Sequence, residues 1–273
     1  MPAIDGRAGL AGLLCAILLH AVLPGLLLRA GLARSNFRRQ TVPLAYGLLP
    51  VLSGLVMLVA SSTAGVSAAL PVAATLATFA ALGVLDDALG HTAPKGLRGH
   101  LRALVCERRV TTGLVKLVGG VVAGQVIAHT ATLQSWNLRV IDGLILALGA
   151  NAMNLLDLRP GRARAVWLAL FGTLCAANVV SGSPVSVALP ALPVAVMVIR
   201  DRRAQAMMGD TGSNGLGAML AALWLSSIPS PPARVTVLLC LLAFHVAAER
   251  WSLSAVIQRN PLLRRLDALT GVR

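Results

Sequence analysis

Apolar runs recur along this chain of 273 residues, and most approach the length of about 20 residues that a helix needs to cross a bilayer. Hydrophobic residues make up 56% of the chain and charged residues only 12%, whereas a soluble domain has roughly 25% charged residues. The runs predict nine membrane spans, at residues 8–28, 42–60, 66–85, 110–131, 140–156, 165–180, 185–199, 215–228 and 235–248. The expected fold class is all-α, a polytopic transmembrane helix bundle in which residues 1–273 form a single integral-membrane domain.

The basic residues predict the orientation of these spans. The formal net charge is +14, and 20 of the 24 Lys and Arg lie after the first, third, fifth and seventh spans or in the tail. Under the positive-inside rule these connections are cytoplasmic, which places the N-terminus outside and the C-terminus in the cytoplasm. Because topology accounts for the charge, a nucleic-acid partner is not expected.

The two ends of the chain and its cysteines carry further signals. The first apolar run lacks a basic leader and is too long for a signal peptide, so we expect it to remain as a span. Residues 249–273 are both basic and apolar, which suits an amphipathic cytoplasmic tail lying on the inner leaflet. The four cysteines have no CxxC spacing, so the sequence indicates neither a disulfide framework nor a zinc site.

Acidic residues are rare, and four of the ten Asp and Glu fall in three patches at the ends of predicted spans. The predicted orientation places all three patches at the cytoplasmic face. Ionisable groups at membrane depth are expensive, so such a cluster suggests metal binding or proton transfer. The patches are Asp86-Asp87, residues 151–157 and residues 208–214.

Each patch has a chemical and a structural interpretation. The aspartate pair could bind a cation or merely cap the next segment. Asn151, Asn154 and Asp157 share one helix face and offer the oxygen ligands that Mg²⁺ prefers, although the asparagines could instead pack helices together. The Gly-Asp-Thr-Gly-Ser segment around Asp210 could present free N–H groups to a phosphate beside a metal-binding carboxylate, or it could form a simple N-cap.

Taken together and in this order, the patches resemble the motifs of the polyprenyl-phosphate N-acetylhexosamine-1-phosphate transferases, glycosyltransferase family 4. This superfamily includes phospho-N-acetylmuramoyl-pentapeptide transferase and the UDP-GlcNAc:polyprenyl-phosphate GlcNAc-1-phosphate transferases. The resemblance runs from Asn36 to about Ser252. It is carried by Asn36-Phe37-Arg38 with Pro43 and Gly47, Gly83-Val84-Leu85-Asp86-Asp87, Gly113-Leu114-Val115-Lys116, Asn151-Ala152-Met153-Asn154-Leu155-Leu156-Asp157, and Met208-Gly209-Asp210-Thr211-Gly212-Ser213.

The resemblance implies a reaction and its setting. A sugar-1-phosphate would pass from a UDP-sugar to polyprenyl phosphate in a Mg²⁺-dependent reaction that releases UMP. The reaction would take place at the cytoplasmic face of the inner (plasma) membrane, in cell-wall biogenesis such as peptidoglycan synthesis. The expected partners are the membrane, the UDP-sugar and the polyprenyl phosphate lipid, and a homodimer stays open.

The resemblance also suggests roles for individual residues. Asp210 and Asn154 would hold the metal, and Asp86, Asp87 and Asp157 would be catalytic. A further set of amide and cationic side chains would contact the substrates, namely Asn151, Lys116, Arg159, Lys95 and Arg98. For the last two, a contact with anionic lipid is the alternative.

Two departures from the family pattern leave other functions open. The family's second aspartate after Asp157 is replaced by Pro160, and its late loop with a His cluster has no counterpart, because His245 lies inside a span. These losses are the support for a second interpretation, a family member that has lost catalysis and serves as a membrane partner in envelope assembly, although the transferase is the preferred interpretation. A transporter is the third interpretation, but it predicts acids spread through the bilayer depth, whereas the patches share one face.

Overall fold

The computed structural model describes residues 6–66, 68–89, 96–108, 110–131, 134–180, 189–227 and 230–271, with the backbone alone at 96–98, 100, 101, 131 and 178–180. These residues form helices joined by short connections and one small hairpin. The elements are α1 Gly6–Arg29, β1 Ala33–Ser35, β2 Thr41–Pro43, α2 Leu48–Thr63, α3 Ala69–Leu89, α4 Gly96–Glu107, α5 Thr112–Ala131, α6 Trp136–Leu156, α7 Arg162–Val180, α8 Ala191–Asp201, α9 Gly209–Ser227, α10 Pro231–Arg250, α11 Leu253–Arg259 and α12 Pro261–Thr270.

The all-helical fold confirms the expected class. Each of the nine predicted spans overlaps a helix, and the three further helices α4, α11 and α12 lie in connections or in the tail. Within the described ranges, five helices are long and apolar enough to cross a membrane, namely α1, α3, α5, α6 and α10. The chain is therefore a membrane protein with several spanning helices.

The second predicted span begins too early. A helix was expected from residue 42, but residues 42 and 43 belong to β2 and helix α2 begins at Leu48. Pro43 has no N–H to donate, and Ala45 adopts a left-handed φ of 61°, so this segment cannot be helical. It pairs instead with the connection before α9, where the N–H of Met207 donates to the Pro43 carbonyl at 2.9 Å.

Helix α9 lies at the centre of the bundle, and most of its residues from Gly209 to Leu223 are buried. It packs against α3 and α6, and the crossing with α3 depends on a glycine. A Cβ atom at Gly83 would overlap the backbone of Asp210 and Thr211, so only glycine permits this approach. The close approach places the end of α3 against the start of α9.

Helix α7 is attached to α9 by an aromatic side chain. Trp167 is fully buried, stacks on Phe171 with ring centroids 4.8 Å apart, and donates its indole N–H to the Leu216 carbonyl at 2.9 Å. The bond satisfies the one polar group of the ring, as burial of tryptophan requires. It also holds α7 in a fixed position along α9.

The helix directions bring the three acidic patches together. Helices α3 and α6 end, and α5 and α9 begin, at the same end of the bundle. We call this end, marked by Asp86, Lys116, Asp157 and Asp210, the site end. The opposite end, where α3, α6 and α10 begin, is the far end.

The tail is anchored at the site end. The Arg162 guanidinium forms two bonds to the Asp267 carboxylate, at 2.8 and 3.1 Å, and both side chains are about 4% exposed. Arg164 donates to Asp201 at 3.0 Å and to the Thr270 carbonyl at 2.9 Å. Helix α12 is thus held against the start of α7, and several of its leucines stay exposed on the other face, among them Leu262, Leu266 and Leu269.

One acidic side chain departs from the expected one-sided distribution. Asp142 lies in α6 at the far end, is 2% exposed, and pairs with Arg234 of α10. The acids were expected to cluster at one face, and Asp142 corrects that expectation. Burying a charge in the bundle requires a partner, and Arg234, one of the four basic residues outside the predicted cytoplasmic connections, supplies it.

Candidate active site

Lys116 lies at the centre of the acidic cluster. Thr111 caps the start of α5 by accepting the N–H of Leu114 at 3.2 Å, which places Lys116 in the first turns of that helix. Its ammonium donates to Asp86 Oδ2 at 3.2 Å and also to Asp210 Oδ2. The three side chains are 17 to 25% exposed, so the cluster is open to a substrate.

Asn154 joins this cluster from α6. The amide orientation that satisfies its neighbours has the Asn154 oxygen accepting from Lys116 Nζ at 2.9 Å, and its nitrogen donating to Asp210 Oδ1 at 3.1 Å. The Ser213 hydroxyl lies 3.1 Å from the same amide and donates to the Gly209 carbonyl at 3.0 Å. The structure therefore brings Asp86, Lys116, Asn154 and Asp210 together from four helices.

Asp87 performs a different task from its neighbour. Its carboxylate is 4% exposed and accepts the N–H groups of Asp210 at 3.0 Å and Thr211 at 2.9 Å. It also accepts the Thr211 hydroxyl at 2.7 Å. Gly209 has a φ of 72°, and a Cβ there would lie 2.6 Å from Asp87 Oδ2, so this tight cap requires glycine.

Asp157 contacts the same helix start from the end of α6. It follows the last helical residue, and its carboxylate accepts the N–H of Gly209. Burial raises the pKa of the Asp157 carboxyl well above its ordinary value, and the nearby carboxylates of Asp201, Asp210 and Asp87 act in the same direction. The Gly209 N–H opposes this shift.

These contacts correct one expectation about α9. One of the two interpretations of the Asp210 segment left the first N–H groups of α9 free to bind a phosphate. The structure shows the N–H groups of Gly209, Asp210 and Thr211 bonded to the carboxylates of Asp87 and Asp157. The protein's own anions thus occupy the positive end of the helix.

Arg159 lies beside the loop between the two strands. Its guanidinium is 5.6 Å from the centre of the Phe37 ring, and that of Arg38 is 5.3 Å from the same ring. Phe37 is 41% exposed, so an aromatic face flanked by two cations lies at the surface of the site end. The loop contains the Asn36-Phe37-Arg38 motif, but nothing in the sequence spacing indicates its contact with Arg159.

The other three predicted substrate-binding residues, Asn151, Lys95 and Arg98, have no described contact with the cluster. Asn151 lies one turn before Asn154 in α6 and is partly exposed. Lys95 falls outside the described residues. Arg98 belongs to α4, but its side chain is among those left undescribed.

A metal at this cluster would need additional ligands from the substrate. Among the described residues, no three His, Cys, Asp or Glu side chains are grouped so as to hold a metal by themselves. The cluster does offer carboxylate oxygens from Asp86 and Asp210 and the amide oxygen of Asn154. Mg²⁺ is often held by one or two carboxylates together with substrate phosphates, so these residues fit that ion.

Comparison with known proteins identifies the family. The family model for glycosyl transferase family 4 matches residues 69–228, more than half of the chain and the whole helical core of the cluster. A search of curated proteins found no match. Family membership indicates a transferase that moves a sugar phosphate to polyprenyl phosphate. The chain belongs to glycosyl transferase family 4, the superfamily of the polyprenyl-phosphate hexosamine-1-phosphate transferases.

Proposed function

We propose that this protein transfers a sugar-1-phosphate from a UDP-sugar to polyprenyl phosphate and releases UMP, with Mg²⁺ as cofactor. The observation that carries the proposal is the convergence of Asp86, Lys116, Asn154 and Asp210 at one end of the bundle. A partly exposed cluster that combines carboxylates with an ammonium can receive both a metal and a pyrophosphate. A lipid phosphate can reach such a cluster from the membrane, because three of the four helices that build it, α3, α5 and α6, are long and apolar enough to cross a membrane.

The metal would be held by Asp210 and Asn154, with Asp86 close by. When bound, Mg²⁺ would neutralise charge on the pyrophosphate and favour departure of UMP. Asp210 is the strongest candidate ligand because its carboxylate contacts both Lys116 and Asn154. The ammonium of Lys116 lies between the carboxylates of Asp86 and Asp210, which supports a cation site at this position.

The chain's own residues can perform the other tasks of the reaction. An oxygen of polyprenyl phosphate forms a bond to the sugar-bearing phosphorus, and the bond between that phosphorus and the UMP oxygen breaks. Lys116 is placed to contact the negative charge that grows on UMP. Asp86 and Asp157 would orient the lipid phosphate or accept its proton.

We assign Asp87 a positioning role rather than a chemical one. Its carboxylate accepts three hydrogen bonds from Asp210 and Thr211 and is almost completely buried. It therefore fixes the start of α9, and with it the carboxylate of Asp210. This role accounts for an adjacent acidic pair in which one side chain faces the substrate and the other faces the protein.

The proposal includes nine spans, an outside N-terminus and a cytoplasmic site in the inner membrane. Most basic residues lie in connections at the site end, as the positive-inside rule requires of a cytoplasmic face. A role in synthesis of a cell-wall polymer such as peptidoglycan belongs to the same proposal.

The test is UMP release by the protein reconstituted in sealed vesicles containing polyprenyl phosphate. We expect release with at least one member of a panel of UDP-sugars, only with Mg²⁺, and only where the site end faces the added donor. Inverted cell-membrane vesicles should therefore be active and right-side-out vesicles inactive. Absence of UMP release with every donor would refute the activity and favour a non-catalytic partner in envelope assembly.

Arg159 provides a separate prediction about donor binding. Because its guanidinium lies beside the exposed Phe37 ring, we propose that it contacts a phosphate of the nucleotide. Arg159→Ala should raise the KM for the UDP-sugar about tenfold, the loss expected for one charge-assisted hydrogen bond, and change kcat less. The control Arg264→Ala removes an exposed charge of α12 and should leave KM unchanged. If Arg159→Ala and Arg264→Ala both have the KM of the unaltered protein, Arg159 serves only to orient the protein in the membrane.

A further inference from the structure

A cavity lies at the far end of the bundle, away from the acidic cluster. Its volume is about 580 Å³, within the range of about 300–1,000 Å³ found for ligand sites. The walls come from the start of α3, the end of α5, the first half of α6, the end of α9 and the start of α10. None of the residues assigned above to the transfer reaction lines it, so a separate occupant must be sought.

The cavity contains a buried ion pair with one unsatisfied oxygen. Arg234 donates to Asp142 Oδ2 and, at 3.3 Å, to the Leu225 carbonyl. Asp142 is 2% exposed, and its other oxygen, Oδ1, accepts no hydrogen bond from the described part of the chain. A buried carboxylate oxygen without a donor is unfavourable, so the occupant of the cavity should supply one.

The two hydroxyl groups of the wall do not supply this donor. The Thr75 hydroxyl donates to the Pro71 carbonyl at 2.8 Å, and the Ser226 hydroxyl donates to the Ala222 carbonyl at 2.8 Å. Each hydroxyl has a single proton, and it donates that proton to a carbonyl of its own helix. The hydroxyl oxygens therefore remain available only as acceptors, and much of the remaining wall is apolar, including Leu146.

We propose that this cavity binds a zwitterionic phospholipid with a primary ammonium, taken from the leaflet opposite the active site. The ammonium would donate to Asp142 Oδ1 while the phosphate lies toward the Arg234 guanidinium. A simple cation would be repelled by Arg234 and a simple anion by Asp142, whereas a zwitterion matches the ion pair in both charges. The apolar wall accommodates the upper part of an acyl chain. This site does not depend on the transferase activity proposed above.

Two lipids that differ only in the headgroup amine provide the test. Phosphatidylethanolamine has N–H donors, and phosphatidylcholine with identical acyl chains has none. Binding of each lipid to the delipidated full-length protein would be measured by native mass spectrometry. We expect phosphatidylethanolamine to bind at least about tenfold more tightly, since one hydrogen bond to a charged group differs.

Two variants act on the site in different ways. Asp142→Asn keeps an acceptor for Arg234 but replaces Oδ1 with a donor, and should reduce phosphatidylethanolamine binding to the level of phosphatidylcholine. Ala222→Leu fills the cavity without changing a charge and should weaken phosphatidylethanolamine binding. This second variant tests the site independently if Asp142→Asn does not fold. Asp267→Asn alters a buried ion pair at the other end and should keep the preference. Equal binding of both lipids by the unaltered protein, or a preference that survives Ala222→Leu, would overturn the proposal and assign the cavity to water.

Discussion

Asp210→Asn is expected to reduce UMP release at least about 100-fold, the usual scale for loss of one group that stabilises a transition state. The amide keeps the shape of the side chain but removes the charge that would hold Mg²⁺. Lys116 still has Asp86 as a partner in this variant, so the bundle should fold normally. Initial rates over a range of Mg²⁺ concentrations would measure both the loss of activity and the weaker metal dependence.

The matched control for this variant is Glu249→Gln. It neutralises an exposed carboxylate at the end of α10, which is also at the site end, and should retain full activity. Both variants should keep the melting temperature of the unaltered protein. An Asp210→Asn protein with unchanged Mg²⁺ dependence would remove this residue from the metal site.

Arg162→Ala is expected to lower the free energy of unfolding by about 3–5 kcal/mol, because it removes the guanidinium that donates two hydrogen bonds to the buried Asp267 carboxylate. The two side chains are about 4% exposed and share two hydrogen bonds, so solvent cannot replace the lost guanidinium. Thermal or denaturant unfolding in a fixed detergent, followed by circular dichroism, would measure the change.

The double variant Arg162→Met with Asp267→Leu separates charge from packing. It removes both charges and keeps similar volume, so its stability should return close to that of the unaltered protein. If the double variant is as unstable as Arg162→Ala, the ion pair itself stabilises the tail, beyond the neutralisation of each buried charge by the other. A stable Arg162→Ala protein would show that the tail is not anchored by this pair.

Sequence patterns located the helices and the main cluster well, because both depend on local signals. Hydropathy over about twenty residues identified the spans, and short polar motifs at their ends identified Asp86, Asn154 and Asp210. The exception was the start of α2, where Pro43 and the left-handed Ala45 override the apolar composition of the segment. Hydropathy alone does not register such backbone constraints.

The pairing of charges could not be predicted in the same way. Arg162 and Asp267 are 105 residues apart, and Asp142 and Arg234 are 92 apart, so only the packed bundle shows that they meet. The distinction between Asp86 and Asp87 depends on which of two adjacent carboxylates faces α9. Sequence alone treats the two as equivalent, whereas helix geometry points them about 100° apart.

The capping of α9 by carboxylates from α3 and α6 has a consequence for biogenesis. Both acidic helices precede α9 in the chain, so the ribosome delivers Asp87 and Asp157 to the membrane before the N–H groups that will satisfy them. A nascent protein that stops short of α9 would hold uncompensated carboxylates, which favour hydration at the membrane surface over tight packing. Insertion of α9 supplies these N–H groups and brings Asp210 to Lys116 and Asn154, so we expect chains truncated before α9 to be degraded as unassembled.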